Sequence, residues 1–404
     1  MEILRSVKLN DLPVVCVFGV LNIELKSRGP IPVYETDKLD CRCYLTDDNL
    51  DMVLSKDKPV AIVTFGNPDE FSNLLRSPLP VRNKWFHFDT TDGMDTVGDT
   101  AFGGFVNLVV NHGFSPSVTV FTASCNTGSK IRNTYHSIKQ QTSSDWEWVV
   151  YDDSDDSETF DILSEIADSD YRVRPYRGHK RSGIIGEVKR NACMLGRGEY
   201  LLELDHDDEL MPNAIDKILD GFKKYPEAGF VYTDFAGVHL DGSPVDYGDS
   251  WGYGFGSHRE EVHNGQTYLV SNSPVVNSVT IRHIVAAPNH ARCWKRSVYD
   301  AIGGHCPILH VADDYELLVR TFLHTRMCKV PYLCYLQNHG DTATEARRAD
   351  IQRIVRVVSG MYDNRIHERF TELGVDDFIW KSGETTFFNL DFVENSEHCT
   401  LISR

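Results

Sequence analysis

Three aspartates within four positions, Asp205, Asp207 and Asp208, stand at the end of an apolar run, Tyr200-Leu-Leu-Glu-Leu204. Carboxylates this close repel one another unless a proton or a cation sits among them, and an all-oxygen donor set suits Mg²⁺ or Mn²⁺. A second acidic pair, Asp313-Asp314, opens the stretch Asp-Asp-Tyr-Glu-Leu-Leu-Val-Arg320. A carboxylate there is able to act as a general base, separate from a metal site. Acids at a helix start also answer the positive end of the helix dipole, so plain capping is the alternative at both clusters.

A cationic stretch precedes the first cluster: Arg172, Arg174, Arg177, Lys180, Arg181, Lys189 and Arg190. Such a run is ordinarily a solvated surface. Beside a metal-like site, Arg181, Lys189 and Arg190 are also candidates to reach a diphosphate. Gly183-Ile-Ile-Gly186 lacks the Gly-Lys-Ser/Thr ending of a phosphate loop and is not one. Residues 241–275, rich in Gly and aromatics, read as a long loop, in which Trp251 and Tyr253 offer faces suited to sugar rings. A loop folded back on its own hydrophobic cluster is the alternative. Residues 282–296 add His283, His290, Arg292, Lys295 and Arg296.

These side chains need a frame. The run before Asp205 reads as a strand of a covered sheet, which puts the acids at its carboxyl end, where open α/β sheets bind ligands. Strands are expected at 117–123, 146–151 and 171–176, the second ending in Asp152-Asp153. A helix carries Ile131, Tyr135 and Ile138 on one face, and another covers 187–195. Together they describe a doubly wound nucleotide-binding sheet. Beyond the acids come a helix from Pro212 with Ala214, Ile215, Ile218, Leu219 and Phe222 on its core face, a strand at 229–233, and a hairpin or paired strands over 327–337. An amphipathic helix over 349–373 presents Ile351, Ile354, Val358, Met361 and Tyr362.

Residues 1–112 alternate strands at 14–20, 60–65 and 85–88 with helices at 48–56, 69–76 and 96–111. They form a small parallel α/β unit without a glycine-rich phosphate loop, read as an accessory or docking domain. His112-Gly-Phe-Ser-Pro-Ser117 marks its boundary, giving domains at 1–112, 117–345 and 346–404.

The chain of 404 residues is 41% hydrophobic and 11% aromatic, so it is globular and long enough for two domains. Its net charge of −18 disfavours nucleic acid or an anionic membrane as the default partner. No apolar run of about 18 residues is present, so no spanning helix is expected. The start, MEILRSVKLNDLP, lacks a signal-peptide core, and the ten cysteines follow no framework spacing. Reduced thiols and a cytoplasmic location are the expectation. Cys41-Arg-Cys43 is a close pair without a second pair to complete a metal site.

Residues 117–345 resemble family 2 glycosyltransferases of the GT-A fold, through several ordered motifs. These are Val-Thr-Val-Phe-Thr-Ala-Ser-Cys-Asn (118–126), Ser137-Ile-Lys-Gln-Gln-Thr142, Trp146-Glu-Trp-Val-Val-Tyr-Asp-Asp-Ser154, Lys189-Arg-Asn-Ala192 with Gly198-Glu-Tyr200, Asp205-His-Asp-Asp208, Ile302-Gly-Gly-His305 and the Asp313-Asp314 stretch. The resemblance implies that Thr122 lines the nucleotide pocket and Asp153 accepts a hydrogen bond from the base, commonly uracil. Asp207 and Asp208 would hold the ribose and the metal, supported by Asp205, and His339 would approach the metal or diphosphate. Asp314 would be the catalytic base. Asp313 stands where glutamate is usual, and the first loop has Ala-Ser-Cys-Asn where proline and tyrosine are common.

The expected function is a metal-dependent, inverting glycosyltransferase. It would use Mn²⁺ or Mg²⁺ to move a sugar from a nucleotide-sugar, a UDP-sugar, to a hydroxyl of a glycan or glycolipid. Trp251, Tyr253, His290 and Asp313 are the acceptor-side candidates. The extra domains would dock to a membrane assembly or to another copy in a homo-oligomer. Transfer to a modified base in DNA is the alternative acceptor, permitted by the cationic stretches. A non-catalytic sugar-nucleotide or carbohydrate-binding protein is the alternative of another class.

Overall fold

The computed structural model describes four N-terminal strands, residues 116–340 except 171, 179, 249 and 284–287, and residues 347–375 and 377. The N-terminal strands are β1 (Val14–Phe18), β2 (Val33–Thr36), β3 (Val60–Phe65) and β4 (Trp85–Phe88). They form one sheet in the order β2-β1-β3-β4, every pair parallel. The two central strands read VVCVF and VAIVTF, near-continuous apolar runs of the kind common in parallel strands. The helices expected at 48–56, 69–76 and 96–111, and Cys41-Arg-Cys43, lie outside the described residues.

From residue 118 the order is β5 (Val118–Ser124), α1 (Ile131–Lys139), β6 (Trp146–Asp152), α2 (Glu158–Ser169), β7 (Val173–Arg177), α3 (Ile185–Leu195) and β8 (Tyr200–Glu203). Then come β9 (Glu209–Leu210), α4 (Ala214–Lys224), β10 (Ala228–His239), β11 (Ser257–His263) and β12 (Gln266–Asn272). The last elements are β13 (Arg292–Lys295), α5 (Arg296–Ala301), α6 (Asp313–His324), β14 (Arg326–His339) and α7 (Arg348–Glu372). The expected α/β sheet with a C-terminal helix is present. Its pairing is mixed, with parallel and antiparallel neighbours.

The chain divides into two compact units. In the first, β5, β6 and β7 lie side by side and parallel, with Thr122 opposite Val150 and Val149 opposite Arg174. Every residue of β5 and β6 is buried. That includes Glu147, which accepts hydrogen bonds from Thr119 Oγ1 at 2.7 Å, Arg174 Nη1 at 2.8 Å and Arg197 Nε at 2.7 Å. A buried carboxylate needs such partners to keep its charge. Gly198 lies so close to β5 that a Cβ would stand 2.4 Å from the Thr119 nitrogen, so no other residue fits there.

In the second unit β10 is the hub. It pairs antiparallel with β12 and β13 and parallel with β14, while β13 pairs antiparallel with β8. Four expectations are corrected here. Residues 327–337 are not a hairpin but part of the single strand β14, which runs along β10 and also holds the two-residue β9. The stretch 241–275 is not one loop, because β11 and β12 form a hairpin around Asn264 and Gly265, both at positive φ. Asn-Gly between alternating residues is the strongest short-range hairpin signal, and it was legible. On α4 the buried set is Ala214, Ile215, Ile218, Gly221 and Phe222, with Leu219 only half-buried. On α7 the buried set is Val355, Val358, Ser359, Ile366 and Phe370, and Met361 is exposed.

Candidate active site

In the second unit the acidic turn follows β8 and is pinned from two directions. From α1, Thr134 Oγ1 donates to the His206 carbonyl at 2.9 Å, and Ser137 Oγ accepts the Leu210 N–H at 3.1 Å. Gln141 donates to the Met211 carbonyl at 2.8 Å and accepts the Ile215 N–H at 3.1 Å. The segment Ser137 to Thr142 is therefore the brace of the acidic turn. From β14, the Tyr335 hydroxyl donates to Asp208 Oδ2 at 2.7 Å and accepts the Asp205 N–H at 3.1 Å. Asn338 donates its backbone N–H to Asp208 Oδ1 and its side-chain amide to the Asp207 carbonyl, both at 2.8 Å.

The three aspartates are thus fixed in three different settings. Asp208 is buried, and burial together with Asp205 and Asp207 pushes its carboxyl well above the usual range. A proton or cation is what such a site favours. Asp207 is open to solvent, with 43% of its side chain exposed, beside His206. Asp205 Oδ1 lies 3.5 Å from Lys189 Nζ and Oδ2 lies 3.5 Å from His290 Nε2. The all-oxygen set of Asp207 and Asp208 fits Mg²⁺ or Mn²⁺. His339 turns its Nε2 to the Tyr247 hydroxyl at 2.9 Å.

Glu203, Asp205 and His290 can also bring one ligand atom each within 4.8 Å of one another. A positive charge is already built into that group. Lys189 Nζ lies 2.6 Å from Glu203 Oε1, and Arg292 Nη1 lies 3.4 Å from Glu203 Oε2. Burial opposes the Lys189 charge, but Asp205 and Glu203 hold its ammonium well above the usual range. Lys189, expected to reach a diphosphate, is instead an internal counterion. His290 is buried with neither ring nitrogen hydrogen-bonded, and burial and Arg292 lower it to about 4, so it is neutral. Its ring stacks on Tyr335 with centroids 4.6 Å apart.

Asp314 opens α6, where Arg292 Nη1 donates to its Oδ2 at 2.9 Å and the Tyr315 N–H donates to its Oδ1 at 2.8 Å. Asp313 is buried with its Oδ2 unbonded, 3.8 Å from His305 Nε2. Burial raises its carboxyl to about 7, against the pull of Lys189 and with the push of Asp314. The two adjacent acids therefore differ: Asp313 faces inward, and Asp314 keeps partial exposure.

A cavity of about 240 Å³ in the same unit is lined by Phe235, Tyr247, Trp251 and Tyr253 with Ser250 and Asn289. Trp251 is buried against Phe235 and Tyr247, with ring centroids at 5.9 and 6.1 Å. The aromatic stretch is a folded cluster that also walls the cavity.

In the first unit the Asp153 carboxylate accepts the backbone N–H groups of Ser182 and Gly183 at 2.6 and 2.8 Å. Arg181 is exposed and pairs with Asp155. Thr122 is buried in β5, its hydroxyl accepting the Trp148 indole N–H at 2.9 Å. In the second unit Arg190 is half-buried on α3. Gly186 packs where a Cβ would meet the Cys306 carbonyl at 2.1 Å, which gives that glycine a packing role.

The cations once available for a polyanion are largely occupied. Arg172 binds Asp170 and lies over Trp146, Arg174 binds Glu147, and Arg282 binds Asp363 and Asp377. Signals for Tyr335 and Asn338 were absent from the local sequence, because their partners lie 127 and 130 positions away.

Residues 119–252 match the family model described as Glycosyl transferase family 2. The chain is 32% identical over 239 residues to chondroitin synthase of Escherichia coli, covering 59% of this chain and 31% of that one. It is 29% identical over 136 residues to hyaluronan synthase of Pasteurella multocida, covering 34% of this chain and 14% of that one. The matched part thus spans less than a third of either synthase. S. aureus TarS 1-349 in complex with UDP-GlcNAc aligns with a TM-score of 0.47 at 16% identity, over 63% of this chain and 73% of that one. No helix among the described residues is long and apolar enough to cross a membrane.

Proposed function

We propose, from the match of residues 119–252 to the glycosyl transferase family 2 model, that the chain moves one sugar from a UDP-sugar to a hydroxyl of a glycan, with inversion at the anomeric carbon. The observation that carries the reading is the separation of duties in one unit. An acidic turn braced by α1 and by β14 carries Asp207 and Asp208, and a distinct carboxylate, Asp314, stands at the start of α6. The names of the two synthases, both makers of polysaccharide, support a glycan acceptor.

Asp207 and Asp208, with Asp205 in support and His339 in the family's pattern, would hold a divalent ion. When bound, that ion neutralises the developing charge on the diphosphate. By the family's pattern Asp153 and Thr122 are the candidates to receive the base, and Arg181 and Arg190 the candidates to supply charge to the diphosphate. Asp314 takes the proton from the acceptor hydroxyl as that oxygen bonds to the anomeric carbon. The bond from that carbon to the phosphate oxygen breaks, and its electron pair leaves with UDP. Arg292 fixes the orientation of Asp314, and the neutral His290 and the buried Asp313 border the acceptor side with Trp251 and Tyr253. Residues 1–112 serve as an accessory unit and 346–404 as an extension of the domain at 117–345.

UDP release from a panel of UDP-sugars, with and without oligosaccharide acceptors, tests the reading. Acceptor-stimulated release that Asp314→Asn abolishes is the expected result. Absence of release with every donor and acceptor overturns it.

A further inference from the structure

The aromatic cavity has a lining that discriminates between sugars, and the following rests on the transferase reading above. We infer that it takes an uncharged pyranose, the hexose or N-acetylhexosamine end of an acceptor glycan, and turns away a uronate.

Shape and polarity fit a sugar ring. Phe235, Tyr247, Trp251 and Tyr253 offer apolar faces, and Ser250 and Asn289 offer hydrogen-bonding groups. The Trp251 indole N–H is buried with no partner among the described residues, although a buried donor ordinarily has one. Tyr253 is held at φ +59 next to Gly252 at φ +60. A bulky residue in the left-handed region costs on the order of 1–3 kcal/mol, and such strain concentrates at ligand sites.

Position ties the cavity to the reaction centre. Asn289 precedes His290, and the Tyr247 hydroxyl lies 2.9 Å from His339 Nε2.

Charge decides the class. None of the described residues that line the cavity carries a charged side chain. Arg259, the next arginine or lysine along the chain after Tyr253, is engaged by Asp234 and Glu261. His283, whose ring lies 4.6 Å from Tyr253, is lowered by burial and Arg282 to about 4 and carries no charge at neutral pH. A carboxylate entering this neutral lining would shed water without meeting a counterion among the described lining residues.

The test titrates the full chain with p-nitrophenyl β-glucoside, β-N-acetylglucosaminide and β-glucuronide, and separately with UDP and Mn²⁺. The neutral glycosides are expected to bind at least about tenfold more tightly than the glucuronide, a ratio worth about 1.4 kcal/mol. Trp251→Ala should weaken the neutral glycosides about tenfold, and Ser250→Arg, at an exposed position, should raise glucuronide affinity by a similar factor. Glucuronide binding equal to or tighter than the neutral glycosides overturns the inference. Loss of all glycoside binding with UDP binding intact also overturns it and leaves the transferase reading standing. Selective neutral binding without UDP binding upholds the cavity's selectivity and removes the transferase reading instead.

Discussion

The Tyr335 hydroxyl donates to Asp208 Oδ2 at 2.7 Å while accepting the Asp205 N–H at 3.1 Å, so one oxygen on β14 fixes both ends of the acidic turn. Removing it frees the carboxylate that the proposed metal needs in place. Tyr335→Phe keeps the stacking on His290 and should lower metal-dependent UDP affinity by about 10- to 100-fold, the usual cost of losing a partner that orients a ligand. Calorimetry checks this, with circular dichroism confirming the fold; unchanged affinity would show that the hydroxyl has no orienting role.

Lys189 and Glu203 form a buried pair 2.6 Å apart. Lys189→Ala leaves Glu203 charged and underpaired in the interior, and should cost about 3 to 5 kcal/mol of stability. Urea unfolding measures it. A stable Lys189→Ala protein with weakened UDP binding would restore the diphosphate role expected from sequence.

Glu147 gives a pH signature in acid. Burial opposes its charge, yet Arg197 and Arg174 hold it from 4.5 down to about 2. A folded pKa below the unfolded value means stability that is present above pH 4.5 and lost as pH falls toward about 2. The difference amounts to about 3 kcal/mol. In Glu147→Gln this acid-dependent fall should be absent, although the variant is less stable at neutral pH. Thermal melts between pH 2 and 6 follow it.

Asp313 has the opposite sign. Its carboxyl rises from 3.8 to about 7, so the folded state holds the proton more tightly and this residue's contribution falls as pH rises across that interval. Asp313→Asn should gain stability relative to the wild type as pH is raised from 4 to 7, read as the difference between two melting curves. A constant difference would contradict the buried, protonated assignment.

The legible part of this chain was local. The apolar run ending in acids, the acids opening α6 and the strands of the first unit all carry their signal within a few residues. Charge type alone was a poor guide to placement: Lys189 and Arg174 read as surface cations and are buried counterions, because burial depends on Glu203 and Glu147 from other strands. Tyr335, Asn338 and Arg292 act through contacts spanning 22 to 130 positions, which periodicity cannot register. The hairpin at Asn264-Gly265 is a different case, since its signal was present and the glycine and aromatic content around it masked the alternation.

The central claim is that metal and nucleotide binding reside in the acidic turn while proton removal resides in Asp314. Titration of UDP in Mn²⁺ and in EDTA, for the wild type, Asp208→Asn and Asp314→Asn, tests that division directly. The account predicts metal-dependent binding that Asp208→Asn weakens by more than about tenfold. It predicts that Asp314→Asn leaves binding intact while slowing transfer by about 10²- to 10⁴-fold. Equal loss of UDP affinity in both variants would contradict it.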